Sequence, residues 1–299
     1  MSTLNNTIVK FVELLPKPIV KIFAQRYIAG DTLQDAIRVV KELNSRGIYA
    51  TMDVLGEAIQ TKSEALQAKK ECLEVLEAIK DNNLMANLSV KPTQLGLALD
   101  KEYGLKETAE VVARAKELNN FVRLDMEDSP YTDATFELLK CLREKFDNVG
   151  VVVQAYLKRT LSDVQLLNKI GTNYRLCKGI YIEPEEIAYK DKQKIRDNYL
   201  EILKTMLKDG NYVGIATHDD YLVNGALKLL KEMNVPKDKY EFQMLYGVKE
   251  DLRNKINEAG HKIRIYVPFG KQWYKYSIRR LKENPQVAWY ITKSIFMFK

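Results

Sequence analysis

Ile48-Tyr-Ala-Thr-Met-Asp-Val54, a helical stretch over 62–80 and Leu84-Met-Ala-Asn-Leu-Ser-Val90 together decide how this chain folds. The two outer runs are short and apolar, as strands are, and the segment between them has helical spacing. Strand, helix, strand at this length is a βαβ unit, and such a unit makes its strands parallel. The pattern then repeats. Strand-like runs follow at Phe121–Leu124, Val149–Tyr156, Tyr174–Cys177, Tyr212–Ala216, Tyr240–Leu245 and Ile263–Val267, eight in all. Helical periodicity occupies 105–120, 132–146, 160–170, 184–209, 219–233, 249–259 and 272–284. Eight units predict an α/β fold of the (β/α)8 TIM-barrel type, with an open doubly wound sheet as the alternative. No GxGxxG occurs, which removes the usual dinucleotide-binding form of that sheet.

The chain ahead of the first strand has no strand signal. Residues 4–29 read as one or two helices, with Pro16 and Pro18 at a break or a start. Residues 31–46 read as another, capped by Asp31 or Thr32 and ended by Gly47. We therefore expect an N-terminal helical arm over 1–46, a barrel domain over 47–299, and a tail at 285–299.

The 299 residues are 46% apolar and 29% charged, as in ordinary globular proteins, and no apolar run reaches the length of a membrane span. The N-terminus has neither a signal-peptide nor a transit-peptide pattern, so a cytoplasmic location is expected. Three scattered cysteines and two histidines give no disulfide framework, zinc motif or multi-histidine metal site. The net charge of +7 is spread over lysines interleaved with glutamates and comes with no nucleic-acid motif.

Polar residues gather where the strands end: Asp53 and Glu57; Lys91; Asp125 and Glu127; Gln154, Tyr156 and Lys158; Arg175 and Lys178; Thr217, His218 and Asp219; Gln243 and Tyr246; Tyr266. Barrel active sites are built at those ends, and buried polar groups are costly unless paired. A ligand-lined cavity is expected there. Near the C-terminus, Tyr276, Arg279, Arg280 and Glu283 share one helix face. Two readings fit that face: a solvated, salt-bridged surface, or a guanidinium fork for a small carboxylate.

Thr51–Glu57, Ser89–Lys91, Leu124–Glu127, Gln154–Arg159, Arg175–Tyr181, Ala216–His218, Tyr240–Gly247, Arg264–Pro268 and Tyr276–Asn284 each match one short motif. In this order, about one per strand, they resemble the stand-alone proline dehydrogenases. Each motif is short; together they cover the chain from about Thr51 to Asn284. The resemblance implies a distorted barrel that binds FAD and L-proline. It implies that Arg279 and Arg280 bind the proline carboxylate, with Lys91 a further charge nearby. Leu176, Tyr181 and Tyr276 would pack around the pyrrolidine ring, Asp125 and Tyr266 would line the site, and Glu57 would pair with Arg279 as a gate. Gln154 and Arg175 would reach the flavin ring, and Gly179 would allow a close backbone approach. Asp125, Cys177, Lys178, Ile180, Thr217, His218, Gln243, Arg280 and Glu283 complete the implied cofactor contacts.

Two positions depart from the family pattern. Ile180 stands where relatives carry a small residue, and Cys177 where they carry an apolar one. Both put the local shape of the flavin pocket in question. The implied reaction is oxidation of L-proline to Δ1-pyrroline-5-carboxylate, with hydride passing to FAD and electrons onward to a membrane quinone. A separate pyrroline-5-carboxylate dehydrogenase would take the product. Two rival readings use the same residues: a flavin-free lyase with Lys91 or Lys178 as a Schiff-base amine, and a basic scaffold binding nucleic acid or membrane. The tail, Trp289 to Lys299, is aromatic and aliphatic with two lysines. It suits either an interfacial contact, which would put the enzyme on the inner face of the cell membrane, or a fold-back onto the barrel.

Overall fold

A computed structural model describes residues 20–21, 24–56, 59–274 and 276–278. Glu57, Arg279, Arg280, Glu283 and the tail lie outside the described residues, so the gate, the guanidinium fork and the membrane contact do too.

Eight parallel strands close into a barrel in sequence order. The strands are β1 (Tyr49–Val54), β2 (Ala86–Val90), β3 (Val122–Leu124), β4 (Val149–Gln154), β5 (Tyr174–Cys177), β6 (Val213–Ala216), β7 (Tyr240–Leu245) and β8 (Ile263–Phe269). The ring closes where β1 runs beside β8, with Thr51 opposite Tyr266. Helix α1 (Leu33–Asn44) comes before β1, and α2 (Lys62–Asp81) and α3 (Lys101–Glu117) follow β1 and β2. Helices α4 (Thr132–Arg143), α5 (Thr160–Leu167), α6 (Lys192–Lys208), α7 (Asp220–Glu232) and α8 (Glu250–Glu258) follow the next five strands.

Local chemistry sets the helix starts. Thr32 with Asp35 and Thr61 with Glu64 form capping boxes on α1 and α2. Gly47, with φ +72°, ends the turn after α1, where a left-handed backbone favours glycine. Helix α6 begins at Lys192 and not at 184, because Asp191 caps it by accepting from the Lys194 N–H. Residues 184–191, expected to be helical, form a loop instead.

Strand alternation then sorts the side chains. Ala50, Met52, Leu88, Leu124, Val151, Val153, Ile215, Phe242 and Ile265 point outward and are buried against the helices. The main hydrophobic core is this layer between sheet and helices. The barrel interior holds Thr51, Asp53, Asn87, Ser89, Lys91, Arg123, Asp125, Arg175, Glu241, Gln243, Arg264 and Tyr266, most of them buried and linked to one another. Such an interior is far more polar than the branched aliphatic filling usual for a TIM barrel.

Helix α1 packs on both β1 and β8 and contributes Ala36, Ile37, Val40 and Leu43 to the main core. Part of the expected arm thus belongs to the barrel's outer layer. A smaller cluster of Ala24, Ile28, Leu55 and Tyr276 joins residues ahead of α1 to the helical residues after β8.

Candidate active site

Six strands contribute to one buried lattice at the C-terminal end of the barrel. Lys91 Nζ donates to both carboxylate oxygens of Asp53, at 2.9 and 3.1 Å, and lies 3.7 Å from Asp125 Oδ2. Asp125 Oδ1 accepts from Arg175 Nη1 at 2.7 Å and from Ser89 Oγ at 2.6 Å. Asp125 Oδ2 accepts from the Tyr266 hydroxyl at 2.8 Å. Arg175 Nε donates to Gln243 Oε1 at 2.6 Å, and its guanidinium lies over the Tyr266 ring at 5.1 Å. The alternate register places these atoms together: Ser89 lies opposite Arg123, and Arg175 lies opposite Gly214.

A second tier lies beneath, toward the N-terminal ends of the strands. Gln243 Nε2 and Arg264 Nε both donate to Glu241 Oε1 at 2.7 Å. Two interior glycines make the room: a Cβ at Gly214 would overlap the Gln243 amide, and one at Gly150 would overlap the Arg123 guanidinium.

The electrostatics follow from this packing. Burial pushes Asp125 up, but the charges of Arg175 and Lys91 outweigh it and hold the carboxyl below its usual range. Burial wins at Asp53, with the Asp125 charge adding to it, and that carboxyl is raised against the pull of Lys91. Burial and the two carboxylates keep the Tyr266 phenol protonated, so it donates. Lys91 Nζ lies between two carboxylates, a setting that favours the ammonium over the neutral amine a Schiff base needs.

The remaining expected site residues divide. Gln154 is buried beside Cys177 in register and donates from Nε2 to the Glu127 carbonyl at 3.1 Å. Burial pushes the Cys177 thiol up to about 12, so it is no thiolate nucleophile. The Thr217 N–H donates to the Gln243 carbonyl at 3.2 Å, and its hydroxyl accepts from the Asp219 N–H at 3.1 Å. His218 Nε2 accepts from the Leu245 N–H at 2.9 Å, which puts the proton of the neutral ring on Nδ1. Lys178 is part-exposed and lies 3.4 Å from Asp219. Ile180 and Tyr181 sit on the loop after β5. Leu176 is not brought into this set: alternation puts it opposite Arg175, fully buried on the helix side of the sheet. Tyr276 belongs to the small cluster with Ile28 and Leu55 and lies 6.5 Å from the Tyr27 ring.

Some strand-end polar residues prove to be caps. The Glu127 carboxylate accepts from the Thr93 N–H and hydroxyl, and Asp219 caps α7. Gly179 has φ +109°, and a Cβ there would strike the Tyr156 ring, so this chain's own packing already requires the glycine. Among the site's supporting residues, Thr51, Ser89, Glu241 and Arg264 were not singled out from the sequence. Their signal was present: polar residues recur at every second position, as in Thr51/Asp53, Ser89/Lys91, Glu241/Gln243 and Arg264/Tyr266.

The end of β4 to β6 offers what a flavin dinucleotide needs. Gln154 and Arg175 supply a donor and a fixed cation, and Lys178 and Arg196 supply charge around Asp219 at the start of α7. Beside them Ile180 is 39% and Ile182 72% exposed, apolar surface suited to covering a flat ring. The donor set fits FAD. Among the described residues, no group of three His, Cys, Asp or Glu side chains is placed to hold a metal ion. No helix among them is long and apolar enough to cross a membrane.

Residues 36–291 match the sequence model of the proline dehydrogenase family. The chain belongs to that family. It is 35% identical over 291 residues to proline dehydrogenase 1 of Bacillus subtilis, which spans 97% of this chain and 95% of that one. It is 34% identical over 289 residues to the proline dehydrogenase of Deinococcus radiodurans, 95% of this chain and 93% of the other. Among solved structures, proline utilization A (PutA) from Bdellovibrio bacteriovorus, inactivated by N-propargylglycine, superposes with a TM-score of 0.82 at 27% identity. That match covers 88% of this chain and 32% of the PutA chain, so this chain spans about a third of that protein. Membership agrees with the resemblance read from the motifs, and the closed parallel barrel agrees with the expected fold.

Proposed function

We propose that this proline dehydrogenase family member oxidises L-proline to Δ1-pyrroline-5-carboxylate, with FAD as its cofactor and a quinone as the final acceptor. The observation that carries the reading is the buried lattice of Asp53, Lys91, Asp125, Arg175 and Tyr266 at the catalytic end of a barrel in this family. Two carboxylates there balance two cations, so the lattice has no surplus positive charge for a substrate carboxylate. Arg279 and Arg280 supply it in this reading, with Glu57 pairing with Arg279 as the gate. Tyr181 and Tyr276 furnish the apolar wall of the pocket.

The oxidation removes a hydride from the ring carbon beside nitrogen and a proton from nitrogen, leaving a carbon–nitrogen double bond. FAD, when bound, supplies the two-electron acceptor. Gln154, Arg175, Thr217, His218 and Gln243 would hold it, with Asp125, Cys177, Lys178, Gly179 and Ile180 around them and Arg280 and Glu283 completing the contacts. This chain's residues do the positioning. Asp125 and Gln243 lock the guanidinium of Arg175 in one orientation. A fixed cation of that kind favours negative charge developing near it during the reaction. Lys91, held by Asp53, sets a second fixed charge at the pocket's edge. The product would pass to a separate pyrroline-5-carboxylate dehydrogenase. The acceptor is lipid-dissolved in this reading, and residues 289–299 would add reversible contact with the cell membrane's inner face.

The test is direct. The purified protein should be yellow, release FAD on denaturation, and bleach on anaerobic addition of L-proline. Arg279→Met or Arg280→Met should each raise KM for proline by about 100-fold, as expected for loss of a charge-assisted contact. A colourless protein, or a wild-type KM in both variants, would overturn the reading.

A further inference from the structure

The loop after β5 is fastened on both sides of residues 180–182. On the β5 side, the Ala155 and Tyr156 N–H groups donate to the carbonyls of Cys177 and Lys178, at 2.8 and 2.7 Å. Gly179 follows in a left-handed turn against the Tyr156 ring. On the far side stands Glu183, a buried carboxylate in an otherwise exposed stretch. Its Oε1 accepts from the Ser129 N–H and its Oε2 from the Ser129 hydroxyl, both at 2.7 Å. Lys190 Nζ donates to the Glu183 carbonyl. The partner, Ser129, opens the short 3-10 turn Ser129–Tyr131 after β3, and Asp128 makes no side-chain cap there. Glu183 caps that turn from another loop.

Between these two fastenings lie only Ile180, Tyr181 and Ile182. Burying a carboxylate far from its own element is worthwhile only if both oxygens are satisfied, as they are here. An arch of three residues with both feet fixed has little freedom, so its side chains are aimed by the feet. Ile180 and Ile182 in the arch are exposed, and Tyr181 between them is half-buried.

We propose that Glu183 is a positioning residue: by clamping to Ser129 it fixes the arch of residues 180–182 over the C-terminal end of the barrel and so shapes the apolar wall of the substrate pocket. The effect on substrate rests on the proline-oxidising reading; the clamp itself does not. Glu183→Ala removes both bonds. Glu183→Gln keeps one acceptor oxygen, and the Ser129 hydroxyl can rotate to accept from the new amide, so this variant retains the clamp.

Hydrogen exchange by mass spectrometry on the FAD-loaded protein without substrate, together with steady-state kinetics on L-proline, tests the proposal. In Glu183→Ala, exchange across 178–184 should rise about tenfold with the rest of the barrel unchanged, and KM should rise about tenfold with kcat within about threefold. Glu183→Gln should restore both readouts to near wild-type. Unchanged exchange in the arch, a rise spread evenly over the barrel, a loss of kcat at constant KM, or a glutamine variant as impaired as the alanine one would each overturn it. A wild-type protein that proline does not reduce would overturn the functional reading alone, and the exchange comparison would still decide the clamp.

Discussion

Asp125 ties four side chains of the lattice together. One oxygen accepts from Arg175 and Ser89, the other accepts from Tyr266, and Lys91 stands close to it. Replacing it by Asn would leave two buried cations facing the single carboxylate of Asp53. Removing one member of a buried ion pair typically costs about 3–5 kcal/mol, far more than the pair itself is worth. Asp125→Asn should therefore lower stability by about 3 kcal/mol in urea titrations, besides impairing turnover. Glu241 gives a pH signature. Burial pushes it up, yet Arg264 and Lys262 prevail and hold it at about 2. A depressed carboxyl contributes stability that is complete above its unfolded value, about 4.3, and lost as pH falls through the folded one. Urea midpoints should thus fall steeply from about pH 4 toward pH 2, and Glu241→Gln should flatten that slope by removing about 3 kcal/mol of linkage. Lys91, Asp125, Arg175, Gln243 and Tyr266 could be picked from the sequence because each lies within a few residues of a strand's C-terminal end. Glu241 and Arg264 were passed over because attention to strand ends ignores what the pleat turns inward lower down.

At the scale of the element, the strands work because small residues alternate with large ones across the interior. Gly214 on β6 is the clearest case, since a methyl there would overlap the Gln243 amide. Gly214→Ala should push Gln243 away from Arg175 and cost about 1–3 kcal/mol, as overpacking of a filled interior does. Its thermal midpoint should fall, and if Gln243 and Arg175 hold the cofactor, retention of FAD through gel filtration should fall with it. A variant with wild-type midpoint and full cofactor would show that the interior has slack. The element boundaries were largely legible. Tyr174–Cys177 and Tyr240–Leu245 fall where periodicity put them, and the other strands differ by a few residues. The miss at 184–191 has a local cause. The periodicity of α6 runs on through Glu185 and Glu186, but Asp191 caps the Lys194 N–H and starts the helix there. The loop that results carries Glu183, whose partner Ser129 lies 54 residues earlier, beyond the reach of any periodicity argument.

Across the whole molecule, the least local feature is the meeting of residues 24–30 with the segments after β7 and β8. The Ala29 N–H donates to the Pro268 carbonyl at 2.9 Å, and the Gly270 N–H donates to the Gly30 carbonyl at 3.0 Å. Gly247, in the loop after β7, lies so close to the Arg26 carbonyl that a Cβ would overlap it. Residues 24–30 therefore lie across the loops after β7 and β8, and Ile28 packs with Leu55 and Tyr276 in a cluster separate from the main core. No pattern within either segment signals this contact, because its partners are some 240 residues apart in the chain. Its separateness has a consequence. Ile28→Ala would remove methylenes from a cluster of only a few residues and leave the large core intact, so global unfolding should shift by less than the about 2–5 kcal/mol of a full core site. Tyr276, however, stands three and four residues ahead of Arg279 and Arg280 in sequence, and in the proposed function loosening it disturbs the carboxylate site. Ile28→Ala should therefore raise KM for proline several-fold, about what 1 kcal/mol of lost positioning gives, while the thermal midpoint stays close to wild-type. Trp273, packed against the same cluster, provides an independent readout: its fluorescence should shift to the red in the variant before any global transition. A fall in midpoint that matches the kinetic loss, with no early change at the tryptophan, would show that the N-terminal segment stabilises the barrel and does not position its catalytic face.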